Sequence, residues 1–285
     1  MGSIHPDIIS WLQDHDRGNF TNSEPVGGGC IHETFLIQVD SGDRYFLKQN
    51  KQTAADIFKK EANGLNALRV HGGPVVPEVF LVGAEYLLLE DLQPKSRCRD
   101  YWQLLGRQLA QVHNQVNELF GYQENNYIGS NPQLNDWMQN GHDFFRERRI
   151  KPQLKMAQKQ SLLKAQDIQK LEELMAKLPE LIPEQPASLI HGDLWSGNLM
   201  ADKRGMPAII DPAVYYGWAE ADLAMTDLFG SYPAEFYSAY NEIRPLDPGY
   251  RARFKIYNLY HLLNHLNLFG REYLSQVRMV LAQYT

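Results

Sequence analysis

The run SLIHGDLWSGNLM, residues 188–200, limits what this chain can fold into more than any other stretch. Two short apolar segments flank a loop that carries His191, Asp193, Trp195 and Asn198. Further on, LMAD, a Lys-Arg-Gly turn and PAIID read as a short hairpin ending on Asp211. This pattern brings Asp193, Asn198 and Asp211 to the ends of neighbouring short strands. A charge left unpaired away from water is costly, so such a convergence needs a reason. Two carboxylates and a carboxamide suit a hard divalent cation; Mg²⁺ takes only one or two carboxylates when phosphates supply other oxygens.

The rest of the chain places this island in context. Residues 3–16 read as a short amphipathic helix. VGGGCIHETFLIQVDSGDRYFLKQN then gives a Gly-rich turn, an alternating run, a Ser-Gly-Asp turn and a second β-like run. Residues 53–70 have helical spacing, with Thr53 as the N-cap. EVFLVGAEYLLLEDL reads as two more strands. From about residue 98 the pattern turns helical, over 101–120, 136–150, 161–178 and 250–283. Pro94 marks the segment from Asp91 as a hinge.

The protein-kinase scheme needs an Asp that takes the acceptor hydroxyl proton, an Asn five residues on and a later Asp, the last two on metal. Asp193, Asn198 and Asp211 stand in that order and at that spacing. The scheme also needs a Gly-rich turn over phosphates, a strand Lys and a helix Glu to pair with it. Gly27, Gly28 and Gly29, then Lys48, then Glu61 fill those places. Backbone N–H groups approach phosphate where no Cβ obstructs them. Leu89, Glu90, Asp91 and Leu92 lie where a hinge would offer backbone groups to adenine. Each piece alone is weak, and the ordered set carries the reading. His191 reads as structural, holding the loop. Trp195 reads equally as a core aromatic or a stacking wall for a sugar. His261 and His265 are spaced as a metal pair, but no third ligand accompanies them, so packing in the core or in the acceptor pocket is the better reading. Cys30 follows the glycines; it reads either as an inert small residue or as a redox-sensitive thiol whose thiolate the backbone N–H groups and Lys48 would favour.

Composition narrows the classes. With 285 residues the chain has room for one large domain or two lobes. The net charge of −6 argues against a general nucleic-acid or anionic-membrane binder. The basic run FRERRIKPQLK, residues 145–155, reads as a solvated helix face. Two cysteines make no disulfide framework and imply reduced thiols in a cytoplasm. The N-terminal residues lack a signal-peptide core, and no run reaches the ~20 apolar residues of a membrane span. Pro6 stands where N-myristoylation needs Ser or Thr.

GGGCI, HGDLWSGN and IIDPAVYYG resemble the fructosamine kinase (ketosamine-3-kinase) family, relatives of aminoglycoside and choline kinases. NNYIGSNPQLNDW, EADLAMTDLFG and YNLYHLLNHLNLFG extend the resemblance over nearly the whole chain from residue 20. The resemblance implies an α+β, protein-kinase-like fold of two lobes. Residues 1–91 would form a small antiparallel-sheet lobe with one helix, and residues 92–285 a larger, mainly helical lobe. It implies ATP-dependent phosphorylation of the sugar 3-hydroxyl of a ketosamine, with Mg²⁺. That phosphoester falls off the amine, so the role would be deglycation. Trp195 and Trp218 flank the Asp193 and Asp211 loops in sequence, so one or both are expected to line the acceptor site. Two positions depart from the family: Gly141 stands where a second Trp is common, and Trp218 where His is common. Both departures are expected on the acceptor side. The rival readings are another small-molecule kinase of this fold and a nucleotide-binding pseudokinase acting as an interaction module.

Overall fold

A computed structural model describes residues 4–27 and 32–285. Gly28, Gly29 and Cys30 lie outside the described residues. Helix α1 (Pro6–Asp14) starts with proline in its first turn, where the missing N–H costs nothing. Then come β1 (Phe20–Pro25), β2 (Glu33–Val39), β3 (Arg44–Gln49), helix α2 (Ile57–Ala67), β4 (Val79–Val82) and β5 (Tyr86–Glu90). The strands form one antiparallel sheet, in the order β1-β2-β3-β5-β4. Ile8 and Leu12 of α1 pack with Ile37, Leu47 and Leu88 on one face. Phe58 and Leu65 of α2 pack with Leu87 and Leu89 on the other. Strand β5 is covered from both sides, which is why YLLLE reads as a continuous apolar run and does not alternate. Helix α2 begins at Ile57 with Asp56 as N-cap, later than the expected Thr53, because residues 51–56 form turns.

The remainder is mainly helical. It runs α3 (Tyr101–His113), β6 (Val116–Asn117), β7 (Asn126–Ile128), β8 (Asn131–Gln133), α4 (Gly141–Phe144), α5 (Lys151–Lys159) and α6 (Ala165–Leu181). It continues through β9 (Ala187–Ile190), β10 (Leu199–Ala201), β11 (Pro207–Ile209), β12 (Tyr215–Gly217), α7 (Ala219–Leu228), α8 (Ala234–Ile243), α9 (Tyr250–Phe269) and α10 (Leu274–Tyr284). Three expectations change. The helix expected over 101–120 stops at His113, because Val116 and Asn117 pair with β9. The one expected over 250–283 breaks at Gly270, whose φ of 101° suits only glycine. Between α4 and α5 the chain widens into a π-helical turn, Phe145–Ile150, which ends two residues before Pro152. Proline in a helix removes a donor and clashes with the preceding turn, and the wider turn makes room.

The basic run is not simply a solvated face. Arg149 is fully buried. Its guanidinium donates to the Leu134 carbonyl at 2.6 Å and to Asn135 Oδ1 at 2.7 Å, and lies 3.8 Å from the centre of the Tyr215 ring. Arg146, Arg148 and Lys151 around it keep the surface ion pairs expected of a polar face. Trp218 is corrected as well. It is buried among Phe120, His142, Phe145 and Tyr257, in the core of the helical part and away from the cleft. A Cβ built at Gly141 would fall 2.7 Å from the Phe120 ring and 2.8 Å from that of Trp218. The two departures therefore form one packing arrangement in the core: the indole at 218 fills the space a side chain at 141 would need. Among the described residues no helix is long and apolar enough to cross a membrane.

Candidate active site

The sheet delivers a buried cation. Lys48 on β3 pairs in register with Thr34 and Leu87, and its side chain is almost wholly enclosed. Its Nζ donates to Glu61 Oε1 of α2 at 2.6 Å and also to Asp211 Oδ1. Burial works against its charge, but Asp211 and Glu61 outweigh burial and hold the ammonium above the ordinary lysine range.

Helix α2 is itself fastened to the helical part. Lys60 meets Glu124 at 2.6 Å, Asn63 donates to the same carboxylate at 2.7 Å, and Tyr127 donates to Asp56 at 2.6 Å. Gly64 lies against Pro212 and Val214, where even a methyl group would be tight.

Strand β9 leads into the loop His191–Asn198. His191 is buried, donates through Nε2 to the Ile210 carbonyl at 2.9 Å and accepts at Nδ1 from the Asp193 N–H at 3.2 Å. Both of its ring bonds are internal to the loop and its neighbours. Gly192 has φ 81°, and a Cβ there would fall 2.1 Å from the Ala213 carbonyl oxygen, so only glycine fits. Asp222 of α7, buried and missed from the sequence, takes the N–H groups of His191 and Gly192 at 2.7 and 2.8 Å. His113 of α3 also bonds it at 3.2 Å, and His113 in turn meets Tyr240 at 2.8 Å. Burial opposes the charge of Asp222, yet these bonds hold its carboxyl below the usual range. One signal was there to read: Asp222 is one of two acids within the otherwise apolar run AEADLAM.

The Asn198 amide nitrogen donates to the Asp193 carbonyl at 2.9 Å and to Asp193 Oδ2 at 3.1 Å. That leaves the carboxamide oxygen as the atom it can offer outward. Asp211, at φ 56°, holds a backbone conformation rare for a residue with a side chain, and keeps its carboxylate partly open. Asp193 sits between these groups. Burial, then the charge of Asp211, raises its carboxyl to about 7, while the bond from Asn198 pulls the other way.

Lys48, Glu61, Asp193, Trp195, Asn198 and Asp211 line one cavity of about 450 Å³. Trp195 is half-buried at its wall. Its ring lies over Gly197, where a Cβ would come 2.2 Å from a ring carbon, and meets Phe229 edge-on at 5.9 Å. His265 stacks on Phe229 from α9. The hinge side chains point elsewhere: Leu89 and Leu92 are buried, and the Asp91 carboxylate is taken by Arg44 and the Gln93 N–H. The Glu90 N–H is spent on the Glu78 carbonyl. Gly27 is open, with nothing near its Cβ position.

A small antiparallel sheet carrying a Lys–Glu pair, set against a helical part carrying an Asp/Asn/Asp loop, defines a protein-kinase-like phosphotransferase of two lobes. The fructosamine kinase family model matches residues 5–285, and the chain belongs to that family. It is 41% identical over 265 residues to the probable ketoamine kinase of Synechocystis, spanning 90% of this chain and 88% of that one. It is 38% identical to the chloroplastic protein-ribulosamine 3-kinase of Arabidopsis thaliana, over 100% of this chain and 89% of that one. A solved Thermobifida fusca protein, provisionally named a fructosamine-3-kinase, superposes with a TM-score of 0.89 at 30% identity, covering 98% of both chains. A choline kinase from Streptococcus pneumoniae shares the fold alone, with a TM-score of 0.62 at 15% identity.

Proposed function

We propose that this phosphotransferase moves the γ-phosphoryl group of ATP to the 3-hydroxyl of a ketosamine, the product of a sugar with an amine. The observation that carries the reading is the position of Lys48. Bonded to both Glu61 and Asp211, it faces the Asp193–Asn198 loop across one cleft. Asp193 takes the acceptor proton. Its work is chiefly to orient the hydroxyl, because the transition state of phosphoryl transfer is loose and positioning dominates. Lys48 holds the α- and β-phosphates, and Glu61 holds Lys48. Gly27, Gly28 and Gly29 cover the phosphates, and backbone groups of residues 89–92 take adenine. Asn198, through its free carboxamide oxygen, and Asp211 fit Mg²⁺, a hard cation that keeps water and phosphate oxygens for its other positions. Bound there, the ion would neutralise charge on the phosphates. Trp195 walls the sugar. The lobes divide at residues 91 and 92, and the cysteine usage favours a cytoplasmic seat.

The test is ATP consumption across ribulose-, erythrulose- and fructose-amine adducts of lysine, with the product read by phosphorus NMR. A phosphomonoester on C3 of at least one adduct is expected. ATP binding without transfer to any adduct would favour the pseudokinase reading, and transfer only to aminoglycosides or choline would favour the other kinases of this fold.

A further inference from the structure

Asp193 is held from one side only. Oδ2 accepts from Asn198 at 3.1 Å, while Oδ1 has no hydrogen-bond partner among the described residues. Facing it at 4.0 Å is Nδ1 of His261, on α9. That nitrogen is buried and has no hydrogen-bond partner among the described residues. Leaving a buried polar atom unpaired is costly, so an orphan aimed at an unpaired carboxylate oxygen calls for explanation.

We propose that His261 is a positioning residue for Asp193, its Nδ1–H closing on Oδ1 once the cleft is loaded. The inference rests on the reading of Asp193 as the group that takes the acceptor proton. A separation of 4.0 Å needs about 1 Å of closure to reach an ordinary N–H···O length, and catalytic hydrogen bonds are often long before substrate binds. The imidazole is placed for this. Its helix is buried along most of its length, and its ring lies 5.1 Å from that of Tyr260, whose hydroxyl is fixed on Gln133 at 2.7 Å. Burial, helped by His265, pushes His261 down to about 3, so the ring is neutral and carries a single N–H. With Oδ2 on Asn198 and Oδ1 on His261, the carboxylate plane can no longer turn, and its remaining lone pairs face the acceptor. Misplacing a reacting group by 1 Å can cost about 10²-fold in rate, which gives such a clamp its value.

Three variants separate this role from simple packing. Asparagine places its amide nitrogen near the position of Nδ1, and glutamine near that of Nε2. His261→Asn should therefore keep kcat within about threefold, while His261→Gln and His261→Leu lose about tenfold or more. ATP KM and melting temperature should stay level across all three. In an Asp193→Asn background, His261→Leu should cost nothing further. Equal losses in the Asn and Gln variants, full kcat in His261→Leu, or a parallel fall in stability and in both KM values would each overturn the proposal. Slow ATP hydrolysis, with water as acceptor, is measured beside ketosamine transfer. Wild-type hydrolysis without sugar transfer would overturn the acceptor reading, and the same three variants would still be compared on hydrolysis.

Discussion

Asp193 and Asp211 stand in one cleft, yet their amide variants should fail differently. Asp193→Asn keeps a hydrogen-bonding side chain and loses the proton acceptor, so kcat should fall by roughly 10²-fold or more while Mg-ATP affinity stays near normal. Asp211→Asn removes charge from the proposed metal site and from the partner of Lys48, so Mg-ATP binding should weaken along with turnover. Calorimetric titration of Mg-ATP into both variants separates the two; a fully active Asp193→Asn, or unchanged affinity and rate in Asp211→Asn, refutes the assignment. That these three residues share one cavity was legible because the loop is local: Asp193, Asn198 and Asp211 fall within one short stretch whose spacing is itself the signal. Asp222, His113 and His261 come from α7, α3 and α9, and only tertiary packing brings them to the loop. Trp218 misled for the converse reason. Closeness in sequence to Asp211 says nothing about which way β12 and the start of α7 turn the indole.

At the scale of elements, α6 and α10 are joined by a clasp near the C-terminal end of the chain. Arg278 donates to both oxygens of Asp167, at 2.8 Å each, and Asp167 also takes the Lys164 N–H at 3.0 Å. The bond from Arg278, against the smaller effect of burial, holds the Asp167 carboxyl below the usual range. A carboxyl depressed in the folded protein contributes stability above its unfolded value of about 3.9, and that contribution is lost as pH falls through the folded value. Arg278→Met should therefore lower the urea midpoint at pH 7, and the gap from wild type should close as pH drops below about 4. A gap of constant size down to pH 3 would mean that something other than this ion pair joins the helices. Strands were the most readable elements, since β2 and β3 alternate and β5 is apolar throughout. Helix ends were the least readable. Gly270 breaks the last helix, and β6 takes residues that continue the apolar spacing of α3, because β9 needs a partner there.

Across the whole molecule, the two-lobed plan was visible as a change from alternating to helical spacing near residue 98. What spacing cannot show is how firmly the lobes are coupled. Lys60, Asn63 and Asp56 all reach from α2 to the segment 124–127, and Gly64 seats the same helix against Pro212. A helix gripped along its length has no second seat to move to, so Glu61 stands on Lys48 before either substrate arrives. At α2 the machine idles with its gears already meshed. Progress curves begun with ATP last, or with ketosamine last, should run straight from the first turnover and share one slope; a lag in either would show that the grip on α2 forms only during work. With no catch to release at α2, the rate in a cell would follow how many copies are made and how much substrate reaches them.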